Sequence, residues 1–135
     1  MNEDEAYLNI SKRYLESCEQ HISNGVNLQE VIGFKGYHAF ESIAGAFNSH
    51  FGHTVPKSHV KKLNSFVAHA CHSRHINGMA IATLAMTFNG VRNLYLYPEK
   101  DGSNYKVPMN SLSMTNAKEL VRRVKGIVKK IEKLV

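Results

Sequence analysis

Apolar residues recur at intervals of three and four along almost the whole chain, which is the spacing of one face of an α-helix. The pattern breaks at residues 24–25, 52–56, 73–78 and 98–113, where glycine, proline, asparagine and serine collect. No segment alternates apolar and polar residues over the length of a strand. The sequence therefore predicts an all-α protein, an antiparallel up-and-down bundle of four to five helices, in a single domain spanning residues 1–135.

Capping residues place several of the helix ends. Asparagine precedes glutamate by three residues at three points, which is the spacing of a capping box, namely Asn2–Glu5, Asn27–Glu30 and Asn116–Glu119. Ser58 is a suitable cap for the third helix. The fourth helix is predicted from about Asn77 to Tyr97, and the segment 98–113 is predicted to be a loop.

Gly33 and Gly36 lie in the first half of the second predicted helix. A glycine within a helix costs about 1 kcal/mol relative to alanine. We interpret these glycines as sites where another helix or another chain approaches closely.

The net charge of +6 is unevenly distributed. Residues 1–30 hold two basic and six acidic side chains, a net charge of −4, whereas residues 31–135 hold fifteen and five, a net charge of +10. A basic body is typical of a protein that binds polyanions, but it also occurs on soluble proteins with well-charged surfaces. The sequence predicts no membrane span, because it has no long apolar run. We also predict a cytoplasmic protein, because the amino terminus is acidic and because Cys18 and Cys71 are interpreted as buried free thiols.

Arg92 is the main candidate for a functional residue. Ile81, Ala85 and Phe88 form one ridge of the fourth helix, and Arg92 is the next member of that ridge. A cation on a largely apolar ridge is costly unless it has a partner or faces a cleft. The sequence therefore predicts that Arg92 pairs with an acid or binds an anion.

Several short motifs resemble those of the HEPN family of small helical-bundle proteins, across residues 5–135. The second helix resembles the family's aromatic-x-Ala-x-Glu helix, and the start of the third resembles its Lys-x-His-hydrophobic motif. The fourth helix closes with an arginine and a polar residue, as in the family's catalytic motif. The matching segments are Tyr37-His38-Ala39-Phe40-Glu41, Pro56-Lys57-Ser58-His59-Val60, Arg92-Asn93, Tyr97-Pro98 and Asn116-Ala117.

This resemblance implies a homodimer whose cleft is formed by two copies of the fourth helix. It also implies a candidate partner, a small nucleotidyltransferase, and a role of the toxin–antitoxin or defence type. In HEPN ribonucleases four to six residues separate the arginine from a histidine. Tyr97, Pro98 and Glu99 occupy that window here, and a tyrosine with a pKa near 10 is a poor general base at neutral pH.

Histidines offer further candidates. His38 and Glu41 lie one turn apart and could meet as an acid–base pair, a ligand-holding pair or an ordinary surface pair. His69, His72 and His75 are spaced by three, but we interpret them as a polar face near a helix end. The sequence contains no glycine-rich phosphate loop, HExxH motif or paired CxxC motif, so no metal or cofactor is predicted. The basic residues of the last helix could bind phosphate, although the solvation of a polar face and the helix dipole explain them better.

Three functions remain open. The favoured one is a dimeric HEPN-like protein that binds RNA or a nucleotide, with Arg92, Asn93, Tyr97 and His38 as candidate catalytic residues and with Glu41, Tyr95 and Arg92 as candidate ligand-binding residues. The second is an active ribonuclease in which a substitute histidine such as His38 takes the missing role. The third is a helical interaction module without a nucleic-acid role, in which Arg92 pairs with Glu41.

Overall fold

A computed structural model describes residues 1–25, 29–95, 99–106 and 112–135 and, within them, all side chains except those of residues 30, 92–95, 99, 101 and 106. This part of the chain forms five helices and one short hairpin. The helices are α1 (Glu3–Ser23), α2 (Gln29–His50), α3 (His59–Ala70), α4 (Gly78–Tyr95) and α5 (Met114–Glu132), and the strands are β1 (Glu99–Asp101) and β2 (Asn104–Lys106). The prediction of an all-α antiparallel bundle is confirmed.

The second helix is the centre of the bundle, because α2 packs against all four other helices. Its apolar residues are buried on nearly every side, including Ile32, Phe40, Ile43, Ala44 and Phe47. A helix that is apolar all round is stable only when it is surrounded. Helices α1 and α5 contact each other as well as α2, and helices α3 and α4 likewise contact each other as well as α2.

Side-chain caps start four of the described helices, including α4, where Asn77 Oδ1 accepts a hydrogen bond from the Ala80 N–H at 3.2 Å. Asn2 and Glu5 form the predicted capping box of α1, and Ser58 accepts a hydrogen bond from the Lys61 N–H at the start of α3. The prediction for the last helix was wrong, because Ser113 caps α5 by accepting from the Asn116 N–H at 3.1 Å. The pair Asn27–Glu30 falls on a position outside the described residues.

The segment after the fourth helix is not entirely loop. Strands β1 and β2 pair antiparallel, with Lys100 opposite Tyr105 and Asp101 opposite Asn104. Gly102 takes a positive φ of 63° in the turn that joins them, a conformation that glycine adopts without strain. Strands of three residues are too short to show an alternating pattern, which is why the sequence predicted only a loop here.

Two helices approach closely at Gly45, a residue that was not singled out from the sequence. A Cβ atom on Gly45 would lie 2.7 Å from Cδ1 of Tyr7, so α1 packs directly on the α2 backbone there. A Cβ on Gly36 would make ordinary contacts of 3.8 Å with Phe88 and Val121. Gly33 and Gly36 are both buried within the protomer. Of the two alternatives, the approach of another helix is therefore observed at Gly36, and a second chain does not account for either glycine.

The two cysteines differ. Cys18 is fully buried, and burial raises the pKa of its thiol to about 11. Cys71 is exposed at the end of α3, against the expectation that it is buried, and both are free thiols. None of the described helices combines the length and the apolar character that crossing a bilayer requires.

Candidate functional site

The predicted site residues fall into two groups. His38 and Glu41 lie on α2 and are fully described. Arg92, Asn93 and Tyr95 belong to the last turn of α4, but their side chains lie outside the described part of the chain, as does all of Tyr97. The described part of the site therefore consists of the α2 residues and of the residues from other helices that contact them.

Glu41 is the centre of this site. It is only 5% exposed, and its two carboxylate oxygens have different partners. Lys62 donates to Oε1 from Nζ at 2.9 Å, and Nδ1 of His59 lies 2.5 Å from Oε2. Both partners come from the first turn of α3, at positions three residues apart that share one face of that helix.

The Glu41–Lys62 pair compensates the burial of both charges. Lys62 is itself buried, and its Nζ lies 5.5 Å from the ring centroid of Tyr7. A carboxylate removed from water is strongly destabilising unless cations and hydrogen bonds replace its hydration. Lys62 supplies the charge, and His59 supplies the second hydrogen bond.

His59 is held in a defined orientation. A carboxylate can only accept hydrogen bonds, so Nδ1 of His59 donates to Glu41 and a neutral ring then carries its lone pair on Nε2. The His59 side chain is 52% exposed, and no described residue bonds to Nε2. A buried carboxylate that orients an accessible imidazole is the arrangement that prepares a histidine for proton transfer.

His38 lies beside this pair but is held differently. Its Nδ1 is 3.7 Å from Oε2 of Glu41, beyond hydrogen-bond distance, so the two side chains come close without a hydrogen bond between them. Its ring lies among aromatic rings instead, 5.4 Å from Tyr14 and 4.4 Å from Phe34, and 6.0 Å from the His59 ring. Of the two histidines, His59 is the one that Glu41 orients.

Aromatic and basic side chains continue from His38 across the surface between α1 and α2. Phe34 is 43% exposed. Beyond Tyr14, a cavity of about 480 Å³ is lined by Arg13 and Lys35. Lys35 is fixed by hydrogen bonds between its Nζ and both Ser17 Oγ at 2.6 Å and His21 Nε2 at 3.1 Å. This surface, which we call the α1–α2 face, therefore combines exposed rings with positioned cations.

A second group of histidines lies at the end of the bundle where α2 and α3 terminate. The rings of His53 and His69 stack face to face, 3.5 Å between centroids and 6° apart. With His72, Arg74 and His75 they line a cavity of about 420 Å³. Within the described residues, no group of three or more histidine, cysteine or acidic side chains is arranged to hold a metal ion.

This cluster makes stability depend on pH. The pKa of His69 is lowered by burial first and then by the neighbouring His53 and His72. Since the folded pKa lies below the unfolded value of about 6.5, the unfolded chain takes up the proton more readily, and the stabilisation present at neutral pH is lost as the pH falls.

We expect His69→Gln to reduce the loss of unfolding free energy between pH 7 and pH 5, measured by urea denaturation at both values. His21→Gln, on α1 and away from the cluster, serves as the control. An undiminished loss in the His69 variant would mean that other groups set the acid sensitivity.

Comparisons of the chain with protein-family models, with curated proteins and with solved structures find no match. The described residues form a five-helix bundle with a buried carboxylate that binds a lysine and orients a histidine. Glu41 was predicted from the sequence as a site residue, Lys62 was not, and His59 was recognised only as part of a motif. The one signal in the sequence was Glu41 itself, an acid inside the most apolar stretch of α2, which requires a cation from another element.

Proposed function

We propose that this chain is a HEPN-like homodimeric protein that binds RNA or a nucleotide, at a site that includes the Glu41–His59 pair and Arg92. The observation that carries the proposal is the half-exposed His59, oriented by the buried Glu41, beside the aromatic and basic α1–α2 face. Imidazole, guanidinium and ammonium groups bind phosphate, and exposed rings stack on bases.

The α1–α2 face supports a nucleic-acid ligand over a simple inorganic anion. Phosphate alone needs cations, which Arg13 and Lys35 supply. Phe34, 43% exposed, has no use in binding phosphate but offers a flat apolar surface for a base. The net charge of +6 adds long-range attraction for a polyanion.

The exposed side of α4 supports the homodimer. No charged residue occurs from Gly78 through Val91, and Met79 and Met86 are 78% and 77% exposed. A groove of about 530 Å³ lies between this helix and α3. Two copies of a basic protein can associate through an uncharged apolar face without electrostatic repulsion, and this face leads into the turn that carries Arg92 and Asn93. A small nucleotidyltransferase remains the proposed partner of such a dimer, within a toxin–antitoxin or defence role.

Binding is tested by the fluorescence anisotropy of a labelled single-stranded RNA oligonucleotide. If about three phosphates are contacted, a fourfold rise in salt should weaken binding by about 20-fold. Arg92→Ala and Arg13→Ala should each weaken it further at low salt. Arg74→Ala is the matched control, because Arg74 is an exposed arginine at the other cluster, and its affinity should equal that of the wild type. Salt-independent binding, or equal losses in all three variants, would contradict the proposal.

A ribonuclease that uses a substitute histidine is the second candidate, and the geometry selects His59 over His38 for that role. Nδ1 of His59 is 2.5 Å from the Glu41 carboxylate, against 3.7 Å for His38. We propose that, if the protein cleaves RNA, His59 transfers the proton and Arg92 stabilises the phosphate charge.

Incubation of purified protein with RNA, beside Arg92→Ala, His59→Ala, His38→Ala and Tyr97→His, separates the outcomes. Cleavage that is lost in the first two variants but retained in His38→Ala would favour the ribonuclease with His59. An inert wild type with an active Tyr97→His variant would mean that the site has lost its proton-transfer group. Salt-dependent RNA binding without cleavage by the wild type or any variant would support the RNA-binding protein over the ribonuclease.

A further inference from the structure

A further concave surface lies at the opposite end of α4 from Arg92. We call it the α4–α5 groove, because the first turns of α4 and the middle of α5 form its two walls. Its volume is about 250 Å³. Its lining residues are Ile76, Asn77, Ala80, Ile81, Leu84, Arg122, Arg123, Gly126, Ile127 and Lys130.

The floor of the groove is apolar and open. Ile76, Ile81 and Leu84 are buried core residues that also reach the groove. Gly126 lies in the α5 wall, and a Cβ atom added there would meet no atom within 4 Å. The absence of a side chain at Gly126 therefore leaves space over an apolar surface that water solvates poorly.

Three cations border this floor. Arg122 binds Glu119 through two hydrogen bonds, of 2.9 and 2.6 Å. Among the described residues, neither Arg123 nor Lys130 forms a salt bridge. Arg122 and Lys130 are eight residues apart on one helix, which corresponds to roughly 12 Å along the axis.

We propose that the α4–α5 groove binds an acidic amphipathic helical segment of a partner protein. Such a segment places one or two apolar side chains on the floor and several carboxylates opposite the cations, in the helix-in-groove mode. We infer an acidic partner from the charge of the groove. The cations of α5 are spread over two helical turns, so they can face carboxylates that are spread along a helix of the partner.

Two other ligands match the groove less well. An amphiphile with a single anionic group cannot reach both Arg123 and Lys130, which are two turns apart. Nucleic acid uses cations but not an aliphatic floor, and the volume is below the ~300 to 1,000 Å³ of usual small-molecule sites. The groove is also separate from the Glu41–His59 site, so the inference does not depend on the proposed function.

The probe is a fluorescein-labelled synthetic peptide of about 15 residues, long enough to form a helix. It carries leucines at helical spacings of three and four and glutamates at the flanking positions. A peptide of identical composition with the leucine spacing scrambled is the control. With the full chain, the anisotropy assay should show the helical-spaced peptide binding at least about tenfold more tightly than the scrambled one.

Two pairs of variants test the location. Gly126→Leu fills the floor and should reduce binding at least about tenfold, whereas Thr115→Leu, at an exposed position of α5 outside the groove, should leave it unchanged. Arg123→Glu should reduce binding similarly, whereas Lys118→Glu, an exposed α5 position outside the groove, should not. Helical content by circular dichroism checks that each variant is folded.

The proposal is overturned if both peptides bind equally, since attraction would then be purely electrostatic. It is also overturned if Gly126→Leu binds like Thr115→Leu. Displacement of the peptide by single-stranded RNA at equal affinity, with the same loss in Gly126→Leu, would assign the groove to nucleic acid instead.

Discussion

Replacing Glu41 by alanine is expected to lower the free energy of unfolding by about 3–5 kcal/mol, the usual cost of removing one partner from a buried ion pair. Lys62 would be left buried, with a side chain only 10% exposed, and its ammonium would lose the only carboxylate that it contacts in the described structure. Urea denaturation at pH 7 measures the change. The loss is large because it comes from a stranded charge and not from the missing attraction.

A double substitution separates these two causes. Glu41→Ala combined with Lys62→Met removes the stranded charge while keeping the length of the side chain, and it should recover most of the stability. Glu119→Ala breaks the exposed pair with Arg122 and should leave the unfolding midpoint unchanged, because exposed ion pairs contribute little. Equal stability of wild type and Glu41→Ala would contradict the assignment of Glu41 and Lys62 as a buried pair.

The helices were predictable because the signals that form them are local. Spacings of three and four mark each helical face, and Asn2 and Ser58 cap helices that begin within a residue of them. Where two local signals compete, the sequence alone cannot decide between them. Ser113 and Asn116 are both good caps, and the packing of α5 against α2 selects the start that Ser113 provides.

The site was predictable only in part, because its contacts are between distant segments. Glu41 and Lys62 are 21 residues apart in sequence, and no spacing rule connects an acid on one helix with a lysine on the next. The contact of Tyr7 with Gly45 is of the same kind. His38 and Glu41 could meet according to the sequence because one turn of helix separates them, but Nδ1 of His38 lies 3.7 Å from Oε2 of Glu41, beyond hydrogen-bond distance.

The position of the Glu41 pair also relates stability to function. Lys62 and Glu41 hold the first turn of α3 against α2, and that same turn carries His59. A variant that weakens the pair should therefore change the orientation of the imidazole as well as the stability. For this reason His59→Ala, and not Glu41→Ala, is the correct variant for testing chemistry at the site.

The largest core effect is expected at Phe40, where replacement by alanine should cost about 3–5 kcal/mol. Its ring is fully buried and lies 5.8 Å from that of Phe66 on α3 and 5.5 Å from that of Phe88 on α4. Removing it would leave a cavity where three helices meet. Since domains of this size are stable by only about 5–15 kcal/mol, the variant should show a strongly lowered thermal midpoint.

Phe34→Ala is the matched control, because Phe34 is the same residue type on the same helix but is 43% exposed. Its removal should change the unfolding free energy by about 0.5 kcal/mol or less, while weakening the binding of single-stranded RNA if the α1–α2 face stacks on bases. The two variants thus separate the two roles of aromatic residues on α2. A Phe34 variant that loses stability but keeps RNA affinity would make that ring part of the core and would remove the aromatic contribution from the proposed site.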